Sequence, residues 1–239
     1  MAVAVAMTLA VSAGALSAAV GCTLNDPDRD IMRIFPEATN YTTDFISIDQ
    51  RGGANLYASI EERLGDQLDD VYESPDVAYA YYTVLKGESV IGRVHGVNQR
   101  GRFGGIQLIL ATSPEGEIVD FYYQRLPSPE AERFMDAGFT NQFRGLTLLD
   151  FHRRRLGVAG SEIELISDPS EDSEADFRAT LRGLRKNLIL LDEFMLGNAY
   201  RKQIAELQLS PDAPTDPAPE NGSLPQGQGD REREVDRND

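Results

Sequence analysis

Between residues 78 and 125 apolar and polar positions alternate in short runs that turn residues interrupt. Residues 78–86 (A-Y-A-Y-Y-T-V-L-K) are rich in Tyr, Thr and Val, side chains that suit a pleated, half-buried surface. Gly87 and Glu88 break this run. Residues 89–98 then alternate Val90, Gly92, Val94 and Gly96 with Ile91, Arg93, His95 and Val97. G-R-F-G-G at 101–105 is a glycine-rich turn, 106–112 is a short apolar run, P-E-G-E at 114–117 is a second turn, and 118–124 is another strand. Four β-rich runs of this length, separated by turn signals, predict an antiparallel meander.

The flanking segments read as helices. D-I-M-R-I-F at 30–35, stopped by Pro36, predicts a short one. Residues 37–49 carry Tyr41, Phe45, Ile46 and Ile48 and read as extended. After the turn Arg51, Gly52, Gly53, the apolar residues Leu56, Tyr57, Ile60 and Leu64 fall at helical spacing, with Gly65 as the stop. The acidic stretch 66–76 reads as a solvated surface loop. Its carboxylates Asp66, Asp69, Asp70 and Glu73 suit calcium by type but lack the ligand alternation and central glycine of an EF-hand. A helix is expected at 130–137, closed by Gly138, with Phe134, Phe139 and Phe143 in the core. The clearest helix is 173–196: Phe177, Leu181, Leu184, Leu188 and Leu191 step along one face, Ser173 with Asp176 approximates a capping box, and Gly197 follows as a C-cap. A further short helix is expected at 199–209. The pattern predicts one α+β domain at 30–209, an antiparallel curved sheet with helices packed on it.

The ends read differently. Residues 2–21 carry no charge and consist mostly of Ala, Val, Gly, Ser and Leu, ending A-V-G before Cys22, the single cysteine. Small residues leading to a cysteine resemble a bacterial lipoprotein signal, so 1–21 is expected as a signal peptide with Cys22 lipidated and 22–29 as a tether. No basic residue precedes Cys22, as a signal peptide would have, and an uncleaved anchor is the alternative. Either places the domain in the cell envelope, facing the periplasm or exterior. Residues 210–239, rich in Pro, Gly, Asp and Glu, are expected to be a disordered acidic tail. The formal charge of −16 argues against nucleic acid as a partner. One cysteine and two histidines exclude a disulfide framework within the chain, a Cys/His zinc site and a Cys-x-x-Cys-His haem attachment. There is no G-x-S-x-G elbow and no P-loop.

Three features together resemble the FMN-binding domain of the peripheral flavin subunits of ion-pumping NADH:quinone and ferredoxin:NAD oxidoreductases and of related membrane regulators. F-P-E-A at 35–38 is similar to the family's phenylalanine–proline opening. K-G-E-S-V-I-G-R-V, G-R-F-G-G-I-Q-L-I-L and P-E-G-E-I-V resemble its strands and glycine turn. F-T-N-Q-F-R-G at 139–145 resembles the segment after its sheet. The resemblance spans about residues 30 to 192. In the family a serine/threonine–glycine–alanine–threonine motif before the last helix carries FMN on its final threonine. Here that place, 166–176, reads I-S-D-P-S-E-D-S-E-A-D; Thr147 and Thr180 stand in other contexts, and Ser170 or Ser173 would be substitutes.

The resemblance implies a membrane-anchored electron carrier that works with a membrane redox complex, with any FMN held non-covalently. Gly101, Gly104 and Gly105 would then let backbone approach the flavin, and Arg153, Arg154 and Arg155, next to His152, would meet its phosphate. The acids of 168–176 would oppose that phosphate. They favour the alternative, a cofactor-free adaptor or assembly subunit of an envelope complex on the same fold.

Overall fold

The structure, a computed structural model, describes residues 22–163 and 165–209. The expected leader at 1–21 and tail at 210–239 lie outside the described residues. Helix α1 (Pro27–Ile34) starts where the Asp26 carboxylate accepts the Arg29 N–H, with Pro27 in the first turn, where a missing N–H breaks no helical bond. Strand β1 (Asn40–Ile46), the short α2 (Ile48–Arg51) and α3 (Gly53–Leu64) follow. Gly65 closes α3 at φ +73°, a left-handed conformation that glycine adopts without a Cβ penalty.

Strands β2 (Tyr79–Lys86), β3 (Ser89–Gly101), β4 (Gly104–Thr112) and β5 (Ile118–Arg125) come next. The five strands form one open antiparallel sheet in the order β1-β2-β3-β4-β5, the expected meander with β1 added at its edge. Register sets Tyr81 opposite His95, His95 opposite Leu110 and Leu110 opposite Phe121, so this row shares one face.

The opposite face carries Ala80, Tyr82, Val84, Val94, Ile109 and Ala111, which Cys22, Leu24, Ile31 and Phe35 cover. The segment expected as a tether belongs to this layer. Cys22 and Leu24 are buried, and the Gln124 amide donates to the Thr23 carbonyl and accepts the Asn25 N–H, both at 2.7 Å.

Helices α4 (Ala131–Met135), α5 (Ala137–Thr140), a 3-10 turn (Asn141–Phe143), α6 (Leu148–Arg153), α7 (Glu174–Phe194) and α8 (Ala199–Gln208) complete the fold. Gly138 does not end a helix, as expected, but lies inside α5. The break falls at Asp136, whose extended backbone ends α4 and whose carboxylate accepts the Gly138 N–H at 2.7 Å. Phe121, Phe134, Phe139, Phe143 and Phe177 meet edge to face, with centroids 5.0 to 6.2 Å apart.

Helix α7 packs along β3. Its stripe of Phe177, Leu181, Leu184, Leu188 and Leu191 is buried, as its spacing predicts. Arg185, Lys186, Asn187, Asp192 and Glu193 are buried too, because α3, α6, α8 and the 66–76 loop wrap the other sides. Each buried charge meets a counter-group. Arg63 of α3 donates to Asp192 at 2.5 Å and Glu193 at 2.6 Å. Arg185 donates to the carbonyls of Arg63, Phe151 and Leu156. Lys186 donates to Glu73 and, at 2.6 Å, to the Asn98 carbonyl. Arg182 donates to Glu73, Gln99 and Asp66, each at 2.8 Å. Glu73, expected on a solvated loop, is fully buried.

Burial pulls the Lys186 ammonium down to about 8, with Glu73 opposing that fall. Against burial, which raises it, Lys186 and Arg182 hold the Glu73 carboxyl below its usual range. Removing one partner strands the other charge in the core, so Lys186→Met is expected to destabilise the protein by about 3–5 kcal/mol. Combined with Glu73→Gln, the loss should fall short of the sum of the two single losses by about 1 kcal/mol or more. Urea denaturation of the two single variants and the double variant checks this; additive losses would mean the pair is not coupled.

Candidate functional site

Residues 102 and 103 turn the chain from β3 into β4. Gly104 sits at φ +126°, a conformation that favours glycine. A Cβ on Gly101 would stand 2.6 Å from Ile106 and 2.9 Å from Asp176 Oδ1, and one on Gly105 would stand 2.7 Å from the Tyr72 ring. The close approach that the resemblance expects of a flavin at Gly101 and Gly105 is taken up by the chain's own side chains.

Arg153 ends α6, and Arg154 and Arg155 form the turn after it; all three are exposed. Thr147 fixes the start of α6 through a reciprocal capping box with Asp150. Neither of two cavities among the described residues is lined by this arginine run or by the three hairpin glycines. The two halves of the expected flavin site are not brought together in either.

One of these cavities, about 340 Å³, lies between the hairpin turn and the residues that precede α7. Arg102, Phe103, Glu130, Arg133, Glu171 and Asp172 line it. It lies beside the glycine turn and against the 166–176 segment that the resemblance matches to the family's threonine motif. Glu130 reaches into it from the residue before α4. Its Oε1 accepts the Glu171 N–H at 2.7 Å and its Oε2 the Asp172 N–H at 3.1 Å. These bonds, with one to the Ser173 side chain, hold the Glu130 carboxyl below its usual range. Arg133 pairs with Glu171 and approaches Glu130 at 3.7 Å, and Arg102 donates to the Asp172 carbonyl at 2.7 Å.

No hydroxyl among the residues the resemblance points to is placed for a phosphoester. The Thr180 hydroxyl is buried, donates to the Asp176 carbonyl at 2.8 Å and lies 3.0 Å from the Tyr123 hydroxyl. Thr147 caps α6, Ser170 donates to Asp168 at 2.7 Å, and Ser173 is buried. Ser173 is the N-cap of α7 without a side-chain cap bond, and Asp176 accepts the Arg102 N–H instead of completing the expected capping box. The residues present do not fit FMN held here through its phosphate.

The other cavity, about 270 Å³, has an apolar floor of Val158, Ile163 and Ala179 beside Arg100, Arg178 and Arg182. Asp69 pairs with Arg100, Glu174 with Arg178 at 2.8 Å, and Asp66 with Arg182. Of the carboxylates that a calcium reading would group, Asp66, Asp69 and Glu73 are thus each bound to a cation, while Asp70 is exposed. Among the described residues no group of three or more His, Cys, Asp or Glu is placed to hold a metal.

Cys22, the expected lipidation site, lies over Gly96, where a Cβ would come within 3.0 Å of its sulfur. Burial pushes its thiol up to about 12. A lipid thioether at this sulfur requires the first described residues to lift off the sheet. No helix among the described residues is long and apolar enough to cross a membrane.

Glu130, Glu73 and Lys186 escape a reading of the sequence. Glu130 follows two prolines in a loop, and its partners are backbone groups 41 and 42 residues away. Lys186 lies off the apolar stripe, where a helix normally meets water. No family model matches the chain, and no curated protein is significantly similar to it.

His95 is fully buried and stacked on Tyr81, with centroids 4.5 Å apart. Burial lowers its pKa to about 3, with the Asn187 backbone opposing, so the folded protein holds it neutral. The unfolded chain takes up that proton near pH 6.5, so the unfolded state binds more protons between about pH 6.5 and 3. Stability from this residue is therefore complete above pH 6.5 and falls as pH drops through that window. Urea midpoints at pH 7 and pH 5 should differ in the wild type, and His95→Phe should reduce the difference. An unchanged difference would place the acid sensitivity elsewhere.

Proposed function

We propose that this chain is a membrane-anchored protein of the cell envelope that serves as a cofactor-free adaptor or assembly subunit, on a fold like that of the FMN-binding domain. The charge of the cavity before α7 carries this reading. Glu130, Glu171 and Asp172 put carboxylates where a flavin phosphate needs donors, and both cavity arginines already meet the chain's own oxygens. The uncharged stretch 2–21, followed by Cys22, supports anchorage through a lipid on Cys22 or through the retained stretch itself, with the domain facing the periplasm or exterior. Electron transfer between a membrane redox complex and an outside partner is the competing role, and it needs a bound flavin.

The test is the absorbance spectrum of the full chain in detergent, purified with and without added FMN and then precipitated with acid. The expected result is no flavin absorbance and no binding at high micromolar FMN. Colour released into the supernatant would establish a non-covalent flavoprotein and overturn the adaptor role. Colour retained in the pellet would mean covalent attachment, against the placement of Thr147, Thr180, Ser170 and Ser173.

A further inference from the structure

We infer that Glu130 is a built-in stand-in for a ligand's anionic group, whose carboxylate occupies the N–H donors of Glu171 and Asp172 and closes the cavity before α7 to phosphate esters. The inference takes from the FMN-binding resemblance only the identity of the excluded ligand and does not rest on the adaptor reading.

Two successive backbone N–H groups converge on one carboxylate, one on each oxygen, at 2.7 and 3.1 Å. Consecutive N–H groups that point to one side form a concavity suited to an anion. The loop that presents them is held in place. Ser170 bonds back to Asp168, Arg102 holds the Asp172 carbonyl, and Arg133 holds Glu171. Glu130 is held as well: its side chain is only 15% exposed, and Arg133 lies 3.7 Å away. This differs from a surface ion pair between two long side chains, because the donors are backbone and need no ordering. A tethered carboxylate competes at an effective concentration of millimolar or more. Free phosphate or a phosphate ester at micromolar concentration does not displace it.

The experiment compares the full-length wild type with Glu130→Ala and Glu130→Gln, titrated with inorganic phosphate and separately with FMN, and follows the amide NMR signals of Glu171 and Asp172. In Glu130→Ala both signals should move saturably with phosphate, with affinity about tenfold or more above that of the wild type, as expected when one charge-assisted pair is exchanged for another. Glu130→Gln keeps the size and one accepting oxygen, so it guards against loss of fold in the alanine variant; its gain should be smaller but measurable. Wild type and both variants binding phosphate equally, or no gain in either folded variant, would overturn the inference. If the wild type binds FMN without movement of these two amides while the alanine variant gains phosphate there, the adaptor role fails and the part given to Glu130 stands.

Discussion

Lys186 sits in the middle of α7 with its ammonium enclosed, and Glu73 reaches it from a loop 113 residues earlier in the chain. Neither charge is tolerable alone in that place, since a stranded buried ion is strongly destabilising. The pair therefore fixes more than itself. It draws the 66–76 loop onto α7, and Arg182 and Gln99 join the loop, the helix and β3 in one set of hydrogen bonds. Further along, Asp192 and Glu193 tie α3 to the helix through Arg63, and Asp192 also accepts the N–H groups of Tyr200 and Arg201 at the start of α8. One helix, buried on every side from Gly183 to Phe194, becomes the beam on which the other layers are positioned.

The same principle operates at the front end of α7. The hairpin glycines admit Tyr72, Ile106 and Asp176 in place of a ligand, and the N–H donors before the helix are taken by Glu130. Groups that would recognise an external anion are satisfied internally. A molecule built this way uses these polar atoms to hold its own fold together. That is the physical basis for preferring a structural or adaptor role over electron transfer.

The sheet was legible because its signal is local. Tyr, Val and Thr runs between glycine turns fix strands whatever packs above them, and the hairpin turns fix the meander. The stripe of Phe177, Leu181, Leu184, Leu188 and Leu191 was legible for the same reason. What escaped is long-range. Nothing near Glu73 distinguishes it from its exposed neighbour Asp70, since its burial depends on two cations placed on a helix more than a hundred residues later. Arg153, Arg154 and Arg155 form an unbroken basic run, yet the cations that organise the interior are Arg63, Arg182, Arg185 and Lys186, spread among apolar residues. Residue type and clustering could not separate these two groups, because burial is decided by tertiary packing.

This division of the cations shapes the outside of the molecule. Arg63, Arg182 and Lys186 meet Asp192, Glu193, Asp66 and Glu73, so the three cations of the network on α7 are all taken up by carboxylates. The formal charge of −16 then comes mostly from the other charged residues, among them the acidic stretch 210–239. An acidic surface repels phosphate-bearing ligands at long range, before any contact forms. It attracts an electropositive partner at the same range, with an on-rate that falls as salt rises. The exterior and the Glu130 carboxylate therefore act in one direction. Both disfavour a phosphate ester.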